Sequence, residues 1–341
     1  MQKLFEKIIE NKNIFLKPIF YIFLIISFIY RIIIIHKRKK GYKEKVGNSF
    51  IISVGNITLG GTGKTPFVIF LAKKLAKKYK IAIVLRGYKS KYNKKPFLIK
   101  NYKKVTPVNI GDEAYLISKK TKMPVIISKS RKNAIILAEK KLKPNLIILD
   151  DAFQHFKIKR DINIILIDYL NPFGNEKLFP AGILREPLSS LKDANIIIIT
   201  KYDKNINSKY NLNQLKKIIR KYNSKAPIFV SNFLVNSNLT KSNKIFAFAG
   251  IGNFNYFIYL IKKYLKPKIL IYKKFSDHYF YKKNDINQIL EFQKKSYKII
   301  TTYKDYVKIN IPQIYVLDIK FNLFNENKFF KFLNYEIKNK N

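Results

Sequence analysis

Cysteine is absent from this 341-residue chain, so neither a disulfide framework nor a thiolate metal site can be built. Tryptophan is absent too, and glycine and proline number only 12 each. Acidic residues are scarce, 21 against 68 Lys and Arg, which leaves a formal net charge of +47. Such an excess points first to nucleic acid or to an anionic membrane. The lysines are spread along the whole chain, however, and no nucleic-acid recognition motif accompanies them. With the abundance of Ile, Asn, Phe and Tyr, the pattern fits A/T-rich codon usage, and no nucleic-acid partner is expected. A nucleic-acid-dependent ATPase would instead show steeply salt-dependent binding. No internal repeat is evident. No small-residue cleavage site follows the first apolar segment, which favours an uncleaved anchor over a removed signal peptide.

Hydrophobic residues make up 47% of the chain, enough for a core and for about two domains at roughly 150 residues each. Ile14 to Ile35 forms an apolar stretch interrupted only by Lys17 and Arg31, long enough to cross about 30 Å of hydrocarbon. His36-Lys37-Arg38-Lys39-Lys40 closes it, a basic flank that places the C-terminal bulk of the chain in the cytoplasm. A helix lying in the interface stays open as the alternative. Residues 1–40 thus read as an anchor and its flank.

From Gly41 onward the pattern alternates strand and helix, the signature of an α/β fold with a mainly parallel sheet. Strands are expected at Phe50–Val54, Ile81–Leu85, Asn145–Leu149, Ile162–Ile167 and Asn195–Thr200, and helices at Pro66–Tyr79, Asp112–Lys119 and Arg131–Lys140. A second run begins near Lys244. It has strands at Ile245–Ala249, Ile269–Tyr272 and Lys298–Thr301 and helices at Phe254–Tyr264 and Asn284–Lys294. A boundary falls near Ala226–Ser242, dividing a P-loop domain (41–225) from a smaller α/β domain (226–341).

The central motif is Thr58-Leu59-Gly60-Gly61-Thr62-Gly63-Lys64-Thr65, placed between a strand and a helix. Glycines let successive backbone N–H groups point inward around phosphate oxygens, and the helix N-terminus adds its positive end. Lys64 can reach the β- and γ-phosphates of ATP, and the Thr65 hydroxyl can ligate Mg²⁺. Thr58 departs from the strict pattern, which has glycine there. Asn145–Leu149 runs into Asp150-Asp151, and a carboxylate at such a strand end helps hold magnesium in P-loop proteins. Asp112 and Glu113 open a helix, where carboxylates are commonly dipole partners. Asp277-His278 includes one of only three histidines. An Asp can orient or charge an imidazole, although taken alone the two read as a surface polar pair. Thr200-Lys201-Tyr202-Asp203 has the spacing of the T-K-x-D base-reading motif, a pattern that a Lys-rich chain also produces by chance.

Taken in order, Gly55–Pro66, Arg86-Gly87-Tyr88, Gly111-Asp112-Glu113, Asp150–His155, Phe179–Pro187, Phe248–Gly252, Phe275–His278 and Thr301–Asp305 resemble the tetraacyldisaccharide 4'-kinases, the lipid A 4'-kinases of Gram-negative bacteria. The resemblance runs from about residue 15 to residue 310, and Thr58 is the family's own variant of the loop. It implies ATP-dependent phosphorylation of the 4'-hydroxyl of a tetraacylated glucosamine disaccharide 1-phosphate at the inner membrane, with the active site facing the cytoplasm. No obligate protein partner is expected. The resemblance implies Asp112 as catalytic base with Asp277 and His278 as its partners, and Asp150, Asp151 and Glu186 near the metal. Arg185 and Arg131 would lie near the phosphates or the lipid headgroup. Four positions depart from the family pattern. Ala114 stands in place of Pro, Ala152 and Lys89 in place of Gly, and Tyr279 in place of a second His. The rival reading is a membrane-associated switch or partitioning NTPase, which would release inorganic phosphate and label no lipid.

Overall fold

The computed structural model describes residues 9, 14–41, 44–88, 90–92, 94–206, 208–239, 242–309 and 311–340. Lys89 and most of the first 13 residues lie outside these. In chain order the strands are β1 (Phe50–Gly55), β2 (Ile81–Leu85), β3 (Phe97–Ile99), β4 (Val125–Ile127), β5 (Leu146–Asp150), β6 (Ile162–Asp168), β7 (Ile196–Thr200), β8 (Ile228–Ser237), β9 (Lys244–Ala249), β10 (Ile269–Lys274), β11 (Lys298–Thr302) and β12 (Tyr315–Leu323). Their order across the sheet is β10-β9-β11-β12-β8-β7-β6-β1-β5-β2-β4-β3.

β1 lies between β5 and β6 and pairs with both in parallel. Every residue of β1, β2, β5 and β7 is buried. Helices cover both faces of such a sheet, which is why these strands read as unbroken apolar runs. Parallel pairing brings the carboxyl ends of β1, β5, β6 and β7 to one edge, where ligands of open α/β sheets bind.

β8 and β12 direct the rest of the chain. β8 continues the first set in parallel with β7. It then pairs antiparallel with β12, Ser231 opposite Leu323 and Ser237 opposite Leu317. β9, β10 and β11 run parallel to β12 or to one another. This antiparallel ribbon turns the second set of strands round, so their carboxyl ends face those of the first.

The expected strands and helices of the alternating pattern form, with ends that agree to within four residues. Further elements include β3, β4, β8, β12 and the helix Glu326–Lys340. β3 and β4 have three residues each, too short to show a period. β8 and β12 interleave buried with partly exposed positions and carry Ser, Asn, Asp and Lys, so no unbroken apolar run marks them. The polar span expected as a boundary, 226–242, is largely β8.

The apolar N-terminal stretch is a helix, Lys17–Lys39. Phe20, Ser27 and Ile34, seven residues apart, are its buried positions. Ile22, Ile25, Phe28, Ile29 and Ile32 stand exposed. By length and composition the helix could cross a membrane.

Candidate active site

The phosphate loop leaves β1 in mid-sheet and ends where the helix Lys64–Leu75 starts. Gly63 caps that helix at φ 89°, and a Cβ there would lie 2.7 Å from the Phe233 ring of β8. Glycine is therefore required both by conformation and by space. Lys64 Nζ donates to Asn56 Oδ1 at 3.0 Å and lies 3.5 Å from Asp151 Oδ1. Arg185 grips the same two groups, at 3.2 Å to Asn56 and 2.7 Å to Asp151. Burial would raise the Asp151 carboxyl, but Lys64 and Arg185 hold it well below the usual carboxylate range.

Asp150 ends β5 beside it and is fully enclosed. Burial, then the charges of Glu113 and Asp151, push its carboxyl up to about 7 against the pull of Lys64 and Arg131. Its Oδ1 is buried without a hydrogen-bond partner. That unmet acceptor suits a cation. Among the described residues no cluster of three or more His, Asp or Glu could form an all-protein cage. Mg²⁺ does not need one, since it keeps waters and takes one or two carboxylates plus substrate phosphates. Asp150 and Thr65 are the residues that could hold it.

Glu186, implied near the metal by the resemblance, faces the N-terminal helix with one carboxylate oxygen and leaves its Oε1 buried without a hydrogen-bond partner. Its buried carboxylate pairs with Arg38 of the N-terminal helix. Arg131 is equally buried, and its guanidinium donates to the backbone carbonyl of Asp150 at 2.8 Å, bracing the acidic turn from behind.

Across the cleft, the loop after β9 and β10 meets the helix Asp112–Thr121. His278 Nδ1 lies 2.8 and 3.0 Å from the two carboxylate oxygens of Asp112. Lys304 and Lys308 stand 3.6 and 3.7 Å from Asp112 Oδ2. Burial would raise the Asp112 carboxyl, but the His278 hydrogen bond and the Lys304 charge outweigh it and hold the group well below its ordinary value. Asp277 pairs with Lys304 at 3.2 Å rather than with Asp112. Tyr88 sets its ring edge-on to His278, with centroids 5.2 Å apart. Asp305 is fully buried, accepts from the Gly250 N–H at 3.0 Å and forms an ion pair with Lys308 at 2.8 Å, which fixes the loop that faces the phosphate loop.

Sequence reasoning left Lys304 and Lys308 without roles, although Lys304 falls in the Thr301–Asp305 segment of the family resemblance. It also missed the brace under the phosphate loop. Thr200 Oγ1 donates to the Thr62 carbonyl at 2.8 Å, and Lys201 Nζ donates to the Gly61 carbonyl and to Asp168 at 2.5 Å each. Asp203 is held by Tyr259 at 2.6 Å and by Lys263. Thr200–Asp203 therefore supports the loop, and its Asp faces a helix rather than a base.

Between the two sides lies a cavity of about 630 Å³. The phosphate loop from Gly60 to Pro66 lines it, along with Phe70, Tyr256, Phe257, Leu260 and Phe321 and several lysines. Glu113, Asp277 and Lys304 lie on its wall. Its wall thus combines anion-binding groups with apolar surface.

Comparison with known proteins agrees with this layout. Residues 19–338 match the family model described as tetraacyldisaccharide-1-P 4'-kinase. A tetraacyldisaccharide 4'-kinase of Halothermothrix orenii is 33% identical, with 90% of this chain and 90% of that protein covered. One of Flavobacterium psychrophilum is 36% identical over 84% of this chain and 86% of its own length. LpxK from Aquifex aeolicus, solved as an "apo" form in complex with ATP, superposes with a TM-score of 0.71 at 30% identity, covering 92% of this chain and 98% of that one. With a strand–loop–helix phosphate site, a facing acid–imidazole pair and a match along nearly its whole length, the chain belongs to the tetraacyldisaccharide-1-P 4'-kinase family.

Proposed function

We propose that this chain transfers the γ-phosphate of ATP to the 4'-hydroxyl of a tetraacylated glucosamine disaccharide 1-phosphate, a lipid A precursor. The observation that carries the reading is the placement of Asp112–His278 across the cleft from Lys64, Asn56, Asp151 and Arg185. Phosphoryl transfer is mostly positioning and charge stabilisation, with the acceptor oxygen in line with the leaving oxygen. Lys64 and Arg185 would hold phosphate oxygens. Magnesium, held by Thr65 and Asp150, would neutralise charge on the phosphates.

Asp112 would take the hydroxyl proton. Its low basicity is tolerable because a loose transition state leaves the attacking oxygen little bonded, so the proton need leave only late. His278 orients that carboxylate. Residues 41–225 form the nucleotide unit in this reading, and 226–341 a smaller unit that closes over it from β9 and β11.

The acceptor cannot leave a bilayer, and the exposed Ile and Phe residues of the helix Lys17–Lys39 would sit in that bilayer. Its opposite face is docked on the protein, which supports a helix lying in the interface. The basic flank supports the cytoplasmic side of the inner membrane. The test is thin-layer chromatography of labelled ATP with purified disaccharide 1-phosphate. Label in the lipid supports the kinase; inorganic phosphate released without lipid labelling supports a switch NTPase and refutes it.

A further inference from the structure

The basic run after the apolar stretch reads as a solvated membrane flank. His36, Lys37, Lys39 and Lys40 fit that description and are exposed. Arg38 does not, for its side chain is only 14% exposed. Its guanidinium pairs with Glu186 and Asp193 and lies 5.1 and 5.0 Å from the ring centroids of Phe153 and Phe156. A headgroup-binding cation needs none of these contacts. A planar fork that bridges two carboxylates between two rings is what arginine provides and lysine cannot.

What Arg38 holds matters more than its burial. Glu186 follows Arg185, whose guanidinium donates to Asp151 and Asn56 at the phosphate site. The segment Leu178–Glu186 is stitched on one side to the chain leading into the phosphate loop. Leu59 N–H donates to the Ile183 carbonyl and Arg185 N–H to the Ile57 carbonyl, both at 2.7 Å. On its other side it is stitched to the N-terminal helix. Ser27 Oγ donates to the Leu178 carbonyl at 2.7 Å and accepts from Ala181 N–H at 2.9 Å, and Tyr30 OH donates to the Arg185 carbonyl at 3.0 Å. Phe153, under the Arg38 guanidinium, lies two residues after Asp151.

We infer that Arg38 is a positioning residue for phosphoryl transfer: it locks the Leu178–Glu186 segment between the N-terminal helix and the phosphate loop, and so sets Arg185 and Asp151. The inference rests on the kinase reading above and gives the helix a second duty. Seating the helix and ordering the phosphate site become one event, so an enzyme detached from its helix also has a misplaced Arg185.

The experiment compares full-length wild type, Arg38→Gln, Arg38→Lys and Lys37→Gln. Vesicle sedimentation, acceptor KM, kcat and amide hydrogen exchange are measured for each. Arg38→Gln should sediment like wild type and keep its acceptor KM while kcat falls about 10- to 100-fold, the scale of a catalytic group displaced by about 1 Å. Arg38→Lys should fall in between, and Lys37→Gln should match wild type in kcat and exchange, with at most a small loss in vesicle sedimentation. Amides of Ala181, Leu184 and Arg185 should exchange faster in Arg38→Gln, while those of β5 do not change. The idea is overturned if Arg38→Gln matches Lys37→Gln in both kcat and exchange, or if its only defect is vesicle binding. Should Arg38→Gln fail to fold, full activity in Arg38→Lys overturns it as well. A wild type that labels no lipid counts against the kinase reading, and the exchange data then decide the role of Arg38 alone.

Discussion

Replacing Asp112 by Asn removes the proposed proton acceptor while keeping its shape. The carboxylate is buried, held by His278 at 2.8 and 3.0 Å and flanked by Lys304 and Lys308. Loss of its charge does not strand those cations, because Lys304 keeps Asp277 at 3.2 Å and Lys308 keeps Asp305 at 2.8 Å. The fold should therefore survive. A positioned general base gives about 10²–10⁴-fold in rate, and one of lowered basicity belongs at the lower end, so kcat should fall by about 10²-fold. ATP affinity should hardly change, since Lys64, Asn56 and Arg185 are untouched. His278→Ala should cost less, and the double variant should be far from additive, as for residues that act as a unit. The pH dependence has a definite sign. The Asp112 carboxyl is held below its ordinary value, so its contribution to stability is present above about pH 4 and is lost as pH falls through that region. Acid melting of Asp112→Asn should accordingly be shallower than that of wild type. The assays are steady-state kcat, nucleotide Kd by calorimetry and thermal melts from pH 2 to 7. If Asp112→Asn keeps kcat but loses ATP binding, Asp112 belongs to the metal shell and the reasoning fails.

Lys64→Ala and Thr65→Ala should each lose at least about 10²-fold in turnover with an unchanged circular dichroism spectrum, because their side chains face phosphate and metal rather than core. Asp150→Asn should abolish Mg²⁺ binding by calorimetry. Its wild-type carboxyl is pushed up to about 7, so the folded chain keeps a proton that the unfolded chain loses from about pH 4 upward, and wild-type stability falls through that window. The metal-free variant should therefore melt above wild type at pH 8 and close to it at pH 4. Lys201→Met should leave buried Asp168 without its cation, held by the Leu170 N–H at 3.1 Å and the Asn253 amide at 3.3 Å alone among the described residues, costing about 3–5 kcal/mol in urea unfolding and weakening nucleotide binding as Gly61 loosens. Removal of residues 1–36 should reduce sedimentation with vesicles; full retention would mean that other surfaces carry the attachment.

The sequence alone determined what local physics controls. A buried strand, a glycine-rich turn and a helix within the stretch from Phe50 to Leu75 make a phosphate loop whatever surrounds them. The parallel α/β class followed from the unbroken apolar strands, and the helix Lys17–Lys39 from its length without acidic residues. The Asp112–His278 pair was legible only through resemblance, for its members stand 166 positions apart and each alone reads as an ordinary surface feature. Tertiary structure brings them together, because β8 and β12 pair antiparallel and turn the second set of strands to face the first. Those strands are partly buried and break their apolar residues with Ser, Asn, Asp and Lys, so no unbroken apolar run announced them. Tertiary structure also joined residues that the sequence keeps apart. Glu186 meets Arg38, 148 positions away, and Arg38 leaves the solvated flank for the interior. A buried charge must find a partner of opposite sign, and which partner lies within reach is set by how distant segments pack.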